Sequence, residues 1–232
     1  MKIAAFVPIK LNSQRLPSKN ILDLGGHPMC SYILNTLLAS RGIDSVSVFC
    51  SSPAILKYVP DGVGLELRDA ALDRDEVKGL QLFQGFANAV EADYYLLGHA
   101  TAPFISVETV EKVIAAVREG RHDSAFTAQK VQTYAWYDSR PINYSPTDMA
   151  RTQDTKPILI ESSGIYLYSR DLILNGHRRI GDNPGIIELG YPECIDVDTL
   201  EDFRLAEKYV EQLPFPYDRN TEQGLPIHAG YR

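Results

Sequence analysis

Cysteine is scarce, with three residues, Cys30, Cys50 and Cys194, in a chain of 232. They are odd in number and far apart, which fits neither a disulfide framework nor zinc-ligand spacing, so a reducing compartment, the cytoplasm, is expected. Basic charge is in deficit as well. Lys and Arg number 23 against 30 Asp and Glu, a formal net charge of −7. That balance argues against nucleic acid and anionic membrane surfaces as partners, and it leaves any anion binding to local clusters. Long apolar runs are missing. The first one, IAAFVPI, is far short of the ~20 residues of a membrane span, meets Lys10 and Asn12 without a small-residue cleavage site, and reads as a strand. No repeat or low-complexity tract is evident. The Walker pattern is absent, and Gly25-Gly26 come too late after the first strand for a dinucleotide fingerprint. What is present is 44% hydrophobic residues, enough to bury a substantial core in one domain spanning residues 1–232.

Apolar stretches rich in β-branched and aromatic residues occur at 3–8, 46–50, 94–97, 125–128 and 165–168. Helix-period segments lie between most of them. Met29, Ile33, Leu34, Leu37 and Leu38 share one helical face, as do Val77, Leu80, Phe83, Phe86, Ala87 and Val90. A third helix starts at a Ser106 cap and stops at Gly120; a fourth opens on Thr199-Leu-Glu-Asp, a capping-box variant. This alternation predicts an α/β fold, a mainly parallel, Rossmann-like sheet flanked by helices, with ligands at the carboxyl ends of the strands. Two stretches break the pattern. Residues 130–162, with Trp136 and several Pro turns, read as a small inserted lobe, and residues 214–232 as an extended tail.

Two constellations carry chemistry. Residues 1–22 hold Lys2, Lys10, Arg15 and Lys19 and no acidic side chain. A loop of cations with Asn and Ser donors after the first strand suits a polyphosphate through charge-assisted hydrogen bonds, and it also fits an ordinary solvated loop. In Ile195-Asp196-Val197-Asp198, a strand would turn both carboxylates to one side, where one hard cation such as Mg²⁺ could meet them together with nucleotide phosphates. The alternative is that Asp198 and Asp202 simply serve the N-terminus of the following helix.

The stretch AFVPIKLNSQRLPSKNILDLGG resembles the nucleotide-binding signature of the acylneuraminate cytidylyltransferases, which make CMP-activated sialic acids and related ulosonic acids, and IDVDTLEDFRLAE resembles that family's magnesium motif. Between them, in the family's order, RDAALDRD (68–75) is similar to its R-P-x-x-L-A-x-D stretch and ATAPF (100–104) to its P-T-S-P-L. Arg151-Thr-Gln-Asp154 followed by Glu161-Ser-Ser-Gly-Ile-Tyr166 is similar to the segment lining its acceptor pocket. The matches run in collinear order from residue 3 to residue 207.

The resemblance implies a nucleotide-diphospho-sugar transferase-like fold and transfer of CMP from CTP to an acidic sugar acceptor, with release of pyrophosphate. Lys10, Ser13, Arg15, Lys19 and Asn20 would then meet the phosphates and ribose of CTP, Arg68 would lie near the cytosine, and Arg15, Lys19 and Asp198 would act at the reacting phosphates. Asp196 and Asp198 would hold Mg²⁺. His99, Arg151, Gln153 and Tyr166 would face the acceptor, and the lobe would form a homodimer contact. The chain departs from the family at Lys10, usually arginine, at His99, usually glutamine, at Asp69, usually proline, and at Lys78 and Gly79, usually serines. An ammonium does not replace a guanidinium fork. These departures keep open a CTP-dependent enzyme with a different acidic or phosphorylated acceptor, and a non-catalytic nucleotide-binding homologue, against which Arg15, Lys19, Asp196 and Asp198 argue.

Overall fold

The structure is a computed structural model that describes residues 1–12, 16–211 and 213. In chain order its main elements are β1 (Ile3–Pro8), α1 (Met29–Ala39), β2 (Ser45–Cys50), β3 (Gly64–Leu67), α2 (Gly79–Ala89), β4 (Tyr94–Gly98), α3 (Val107–Arg118), β5 (Ser124–Val131), β6 (Ile158–Ser169), α4 (Arg170–Leu174), β7 (Pro184–Leu189) and α5 (Leu200–Val210). Seven strands form one sheet in the order β7-β5-β6-β4-β1-β2-β3. The pairings β4–β1, β1–β2, β2–β3 and β5–β7 are parallel, whereas β6 runs antiparallel to both of its neighbours, β4 and β5. The sheet is thus mainly parallel, as the alternation of strand and helix predicts, with one reversed strand.

The residues of β1 are buried on both faces, which is why it reads as a continuous apolar run. Ile3, Ala5 and Val7 pack with Ile33, Leu34 and Leu37 of α1 and Val110, Val113 and Ile114 of α3. Ala4 and Phe6 point the other way, to Phe83 and Phe86 of α2 and Ile173 of α4. A smaller cluster sets α5 against α1 through Phe203, Ala206, Met29 and Tyr32, and it includes Ile195 and Val197. Ser106 accepts the Thr109 N–H at the start of α3, and Thr199 and Asp202 form the reciprocal capping box of α5.

The lobe is narrower than its composition suggests. Residues 128–131 and 158–161 continue the β5–β6 ladder, so 132–157 alone leave the sheet, with a small hairpin at Trp136–Tyr137 and Arg140–Pro141. Between Glu161 and Tyr166 the register of β6 shifts. Gly164 sits in this bulge, where an added Cβ would fall 2.3 Å from Thr127 Oγ1, so a larger residue has to displace the Thr127 side chain. The Gly25-Gly26 pair belongs to a turn packed on α5, since a Cβ on Gly25 would strike Val210 and its φ is +62°. The tail from Pro214 lies outside the described residues. Among the described residues, no helix is long and apolar enough to cross a membrane.

Candidate active site

Strand order locates the crevice. From β1 the chain builds β2 and β3 to one side, and β4 takes the other side, so the carboxyl ends of β1 and β4 flank the point where the winding reverses. The loop that begins at Lys10 leaves β1 there, and His99 follows Gly98 of β4.

Two segments remote in sequence meet at this place. Lys19 Nζ lies 2.5 Å from Asp198 Oδ1, across 179 positions of chain. Asp202 does the capping of α5, accepting from the N–H of Asp198 and Thr199, while the Asp198 carboxylate turns to Lys19. The segment 195–198 is extended without being a sheet strand, held by the Val197 N–H to Thr101 O at 2.8 Å. Ile195 and Val197 are buried in the α5 cluster and Asp196 and Asp198 are partly exposed, so the alternation expected of a strand is kept. Asp196 Oδ1 is buried and, among the described residues, accepts no hydrogen bond. An unpaired buried carboxylate oxygen is costly, and a hard cation is the kind of partner that satisfies it. The two aspartates therefore fit Mg²⁺ held by one or two carboxylates and completed by ligand phosphates. No group of three His, Cys, Asp or Glu that could hold a metal by itself occurs among the described residues.

The remaining nucleotide-side residues are supports as much as contacts. Lys10 Nζ is 3.1 Å from Asp75 Oδ1, and the buried Asn20 gives its amide to Lys10 O at 3.0 Å, which fixes the start of the loop. The resemblance puts Arg68 near the cytosine. The side chain is 6% exposed, and its guanidinium reaches Ile9 O at 2.9 Å, Phe49 O, and Asp73 Oδ1 through Nη2 at 2.6 Å and Nε at 3.0 Å. It clamps the carboxyl ends of β1 and β2 together. Ser13 and Arg15 lie outside the described residues.

On the other side of the crevice, His99 is held by the bulge. Its backbone N–H and its Nδ1 both meet Gly164 O, at 3.2 and 3.1 Å. A carbonyl only accepts, so Nδ1 carries the proton. Burial first of all pushes the imidazole below its usual value. Gly164 O opposes that shift and nearby Arg179 adds to it, while Asp196 and Glu161 favour the charged form. The neutral ring leaves Nε2 as an acceptor. Tyr166 lies beside it, ring centroids 5.8 Å apart, and is itself buried. Its hydroxyl donates to Glu161 Oε1 at 2.7 Å and to Ser162 O at 3.1 Å. Burial, then the bond to Glu161, raise its pKa.

Arg179 covers the face of Tyr166 at 3.8 Å and pairs with Glu161. Arg151 and Gln153 are exposed on the lobe, and Arg151 pairs with Asp154 at 2.8 Å. They are not brought together with His99 and Tyr166. Reasoning from sequence places Asp73 and Glu161 inside matched segments without a role of their own, and it misses Arg179. The one signal for the last was an arginine pair, Arg178-Arg179, in a turn-rich segment with no helical or strand period.

The family model described as "Cytidylyltransferase" matches residues 4–219. The chain is 25% identical over 218 residues to the N-acylneuraminate cytidylyltransferase of Oncorhynchus mykiss, covering 90% of this chain and 50% of that one. It thus spans about half the length of several curated relatives that it matches. It is 28% identical over 238 residues to the CMP-N,N'-diacetyllegionaminic acid synthase of Legionella pneumophila, covering 91% of this chain and 97% of that one. Among solved structures, CMP:2-keto-3-deoxy-manno-octonic acid synthetase complexed with CTP aligns with a TM-score of 0.70 at 20% identity, over 91% of this chain and 99% of that one, a likeness of fold.

Proposed function

The chain belongs to the cytidylyltransferase family, and from that premise we propose that it transfers CMP from CTP to the hydroxyl of a sialic-acid-like 2-keto-3-deoxy sugar acid, releasing pyrophosphate. The observation that carries the reading is the meeting of Lys19 with Asp198 at the switch point of the sheet. A cation for phosphates and a carboxylate pair for a metal converge there from opposite ends of the sequence. Relatives named for N-acylneuraminate and for N,N'-diacetyllegionaminic acid support the acceptor class.

In the reaction proposed, the acceptor hydroxyl oxygen forms a bond to the α-phosphorus of CTP and gives up its proton to solvent, while the bond from that phosphorus to the bridging oxygen of pyrophosphate breaks. The protein's contribution is positioning and charge neutralisation. Lys19, with Lys10 and Arg15 of the same loop, neutralises the triphosphate, to which Ser13 can give a hydroxyl hydrogen bond. Asn20 and Arg68 hold that loop and the strand ends in register. His99 Nε2 accepts from an acceptor hydroxyl and so orients it. Mg²⁺ at Asp196 and Asp198 would offset charge on the leaving group. A second reading keeps CTP but takes another acidic or phosphorylated acceptor. The neutral His99, which offers one fixed acceptor where an amide offers both a donor and an acceptor, favours it.

We also propose that the lobe, which exposes Trp136, Tyr137, Ile142 and Met149, joins two copies of the chain, and that the protein, with its three free cysteines, works in the cytoplasm. The test of function is pyrophosphate release from CTP with N-acetylneuraminic, N,N'-diacetyllegionaminic and 3-deoxy-manno-octulosonic acids and a phosphorylated polyol. Release with one or more of the acids supports the leading reading. Release with the polyol alone moves the assignment to the second, and binding of CTP without release in any reaction rejects both.

A further inference from the structure

An acidic acceptor needs a cation that the rest of the site has not already used. Lys19 faces Asp198, Lys10 faces Asp75, and Arg68 is buried among strand-end carbonyls. Arg151, 73% exposed, sits on the lobe and pairs with Asp154.

Arg179 is placed differently. It lies across the Tyr166 ring at 3.8 Å and 5.8 Å from the centre of Phe83, and its Nη2 meets Glu161, whose Oε1 also accepts the Tyr166 hydroxyl. Two rings and a doubly held carboxylate fix the guanidinium plane. Among the described residues no acceptor is recorded for its Nε or Nη1, which leaves donors for a second carboxylate.

Arg179 lines a cavity of ≈ 410 Å³ together with Gly79, Leu80, Phe83 and His177, a size within the usual range for small-molecule sites. None of the lining residues is acidic. Leu80 and Phe83 supply an apolar wall. His177 Nδ1 is 2.7 Å from the Gln84 amide nitrogen, which also donates to Ile173 O, so His177 accepts on Nδ1 and carries a proton on Nε2 as a further donor. The opening residues of α2, at the positive end of that helix, agree in sign. On its other side Tyr166 adjoins His99, whose ring also feels the charges of Arg179, Glu161 and Asp196.

We infer that the carboxylate of the acceptor docks on Arg179 in this cavity, with Glu161 and Tyr166 holding the guanidinium in place, and that Arg179 rather than Arg151 selects for an acid. The inference rests on the function proposed above. It assigns to an irregular segment between α4 and β7 the recognition expected of the lobe.

The test is steady-state kinetics of the full chain with CTP and the three sugar acids, for the parent and for Arg179→Gln, Arg179→Lys, Glu161→Gln and Arg151→Ala. Arg179→Gln is expected to raise the acceptor KM at least ten-fold with the CTP KM within two-fold of the parent. Arg179→Lys should fall between, since an ammonium keeps the charge and loses the fork. Glu161→Gln should lower the acceptor KM, because it removes the competing carboxylate yet still accepts from Tyr166. A purely structural Arg179–Glu161 pair predicts instead that both variants lose thermal stability and impair both substrates alike, and that outcome overturns the inference. So does an Arg151→Ala effect on the acceptor KM larger than that of Arg179→Gln. A parent active on one of the acids, with Arg179→Gln unchanged, refutes this inference alone; a parent that turns over none of them refutes the function proposed and this with it.

Discussion

Replacing Arg68 by methionine separates a structural clamp from a contact to the base. The side chain is 2% exposed and its main partner, Asp73, 24% exposed, so both charges are largely withdrawn from water. Breaking a buried pair by removing one partner costs ~3–5 kcal/mol. Asp73 keeps the Ser51 hydroxyl and some solvent, and Phe49 O keeps the Ile9 N–H at 3.0 Å, so neither is stranded. Ile9 O loses the guanidinium contact, worth ~1–3 kcal/mol if that carbonyl is left unsatisfied. Methionine retains most of the packing that places the guanidinium carbon 5.5 Å from the centre of the Phe49 ring. The loss should therefore lie near the lower end, about 3 kcal/mol, or roughly a hundredfold in the folding equilibrium. For a chain of this size that lowers Tm by roughly 6–12 °C. Urea unfolding followed by far-UV circular dichroism measures it directly, with the denaturant slope expected to stay constant. A shift below about 1 kcal/mol, with the CTP KM raised many-fold, would mean that the guanidinium serves ligand rather than fold, and the clamp would have to be abandoned.

Three further expectations concern the rest of the molecule. Lys19→Ala removes a charge-assisted contact to the triphosphate and should weaken CTP binding roughly ten-fold or more by calorimetry; an unchanged affinity contradicts the phosphate-loop reading. Activity should require Mg²⁺ or Mn²⁺ and fall steeply in Asp198→Asn, because an amide oxygen lacks the charge that holds a cation against water; full turnover in EDTA refutes it. Asp123 is held below the usual carboxylate value even though desolvation acts in the opposite direction, because the N–H groups of Asn183 and Asp182 and the Ser124 hydroxyl donate to it. A depressed folded-state pKa gives stability that is full above the unfolded value of ~3.9 and is lost as pH falls through the folded one. Asp123→Asn should accordingly flatten the acid limb of stability against pH in urea titrations, and an unaltered limb speaks against those hydrogen bonds.

The parts of the fold that announce themselves in sequence are those whose residues repeat a local pattern. The cap at Ser106, the box at Thr199 and the apolar face of α1 each need only a few neighbouring residues to be recognised, and each is present. β3 and β7 escape because they are edge strands, β3 of only four residues opening on Gly64 and β7 opening on Pro184-Gly185, two residues that read as a turn. The reversal of β6 is a matter of connection rather than of pattern. A parallel return needs a crossover, usually a helix, and between β5 and β6 the chain has only the lobe, so an antiparallel return is the natural outcome. In the site, the spacing of Asp196 and Asp198 was legible because alternation survives in any extended segment. The burial of Arg68 and the seat of Arg179 were not, because each depends on which rings and carbonyls the sheet assembles around a guanidinium, and linear spacing does not encode that.

The two halves of the crevice differ in what a substitution there disturbs. On the β1 side, Asn20 and Arg68 tie the phosphate loop to backbone carbonyls of the sheet, so a change that alters nucleotide contacts there also loosens strand ends. On the β6 side, the groups that face the acceptor come from the end of β4, from the rim of a bulge and from the irregular segment after α4. The ladder there has already lost register at 162–165, so side chains can be exchanged without opening further backbone hydrogen bonds. Gly164 is the exception, since its carbonyl holds His99 twice and Thr127 leaves no room for a Cβ. In the function proposed, nucleotide identity is thereby bound up with the stability of the fold, whereas acceptor identity rests on a few side chains, Glu161 and Arg179 among them, that lie outside the sheet's buried core. A shared nucleotide chemistry with different sugar acids is what such a division of the crevice permits.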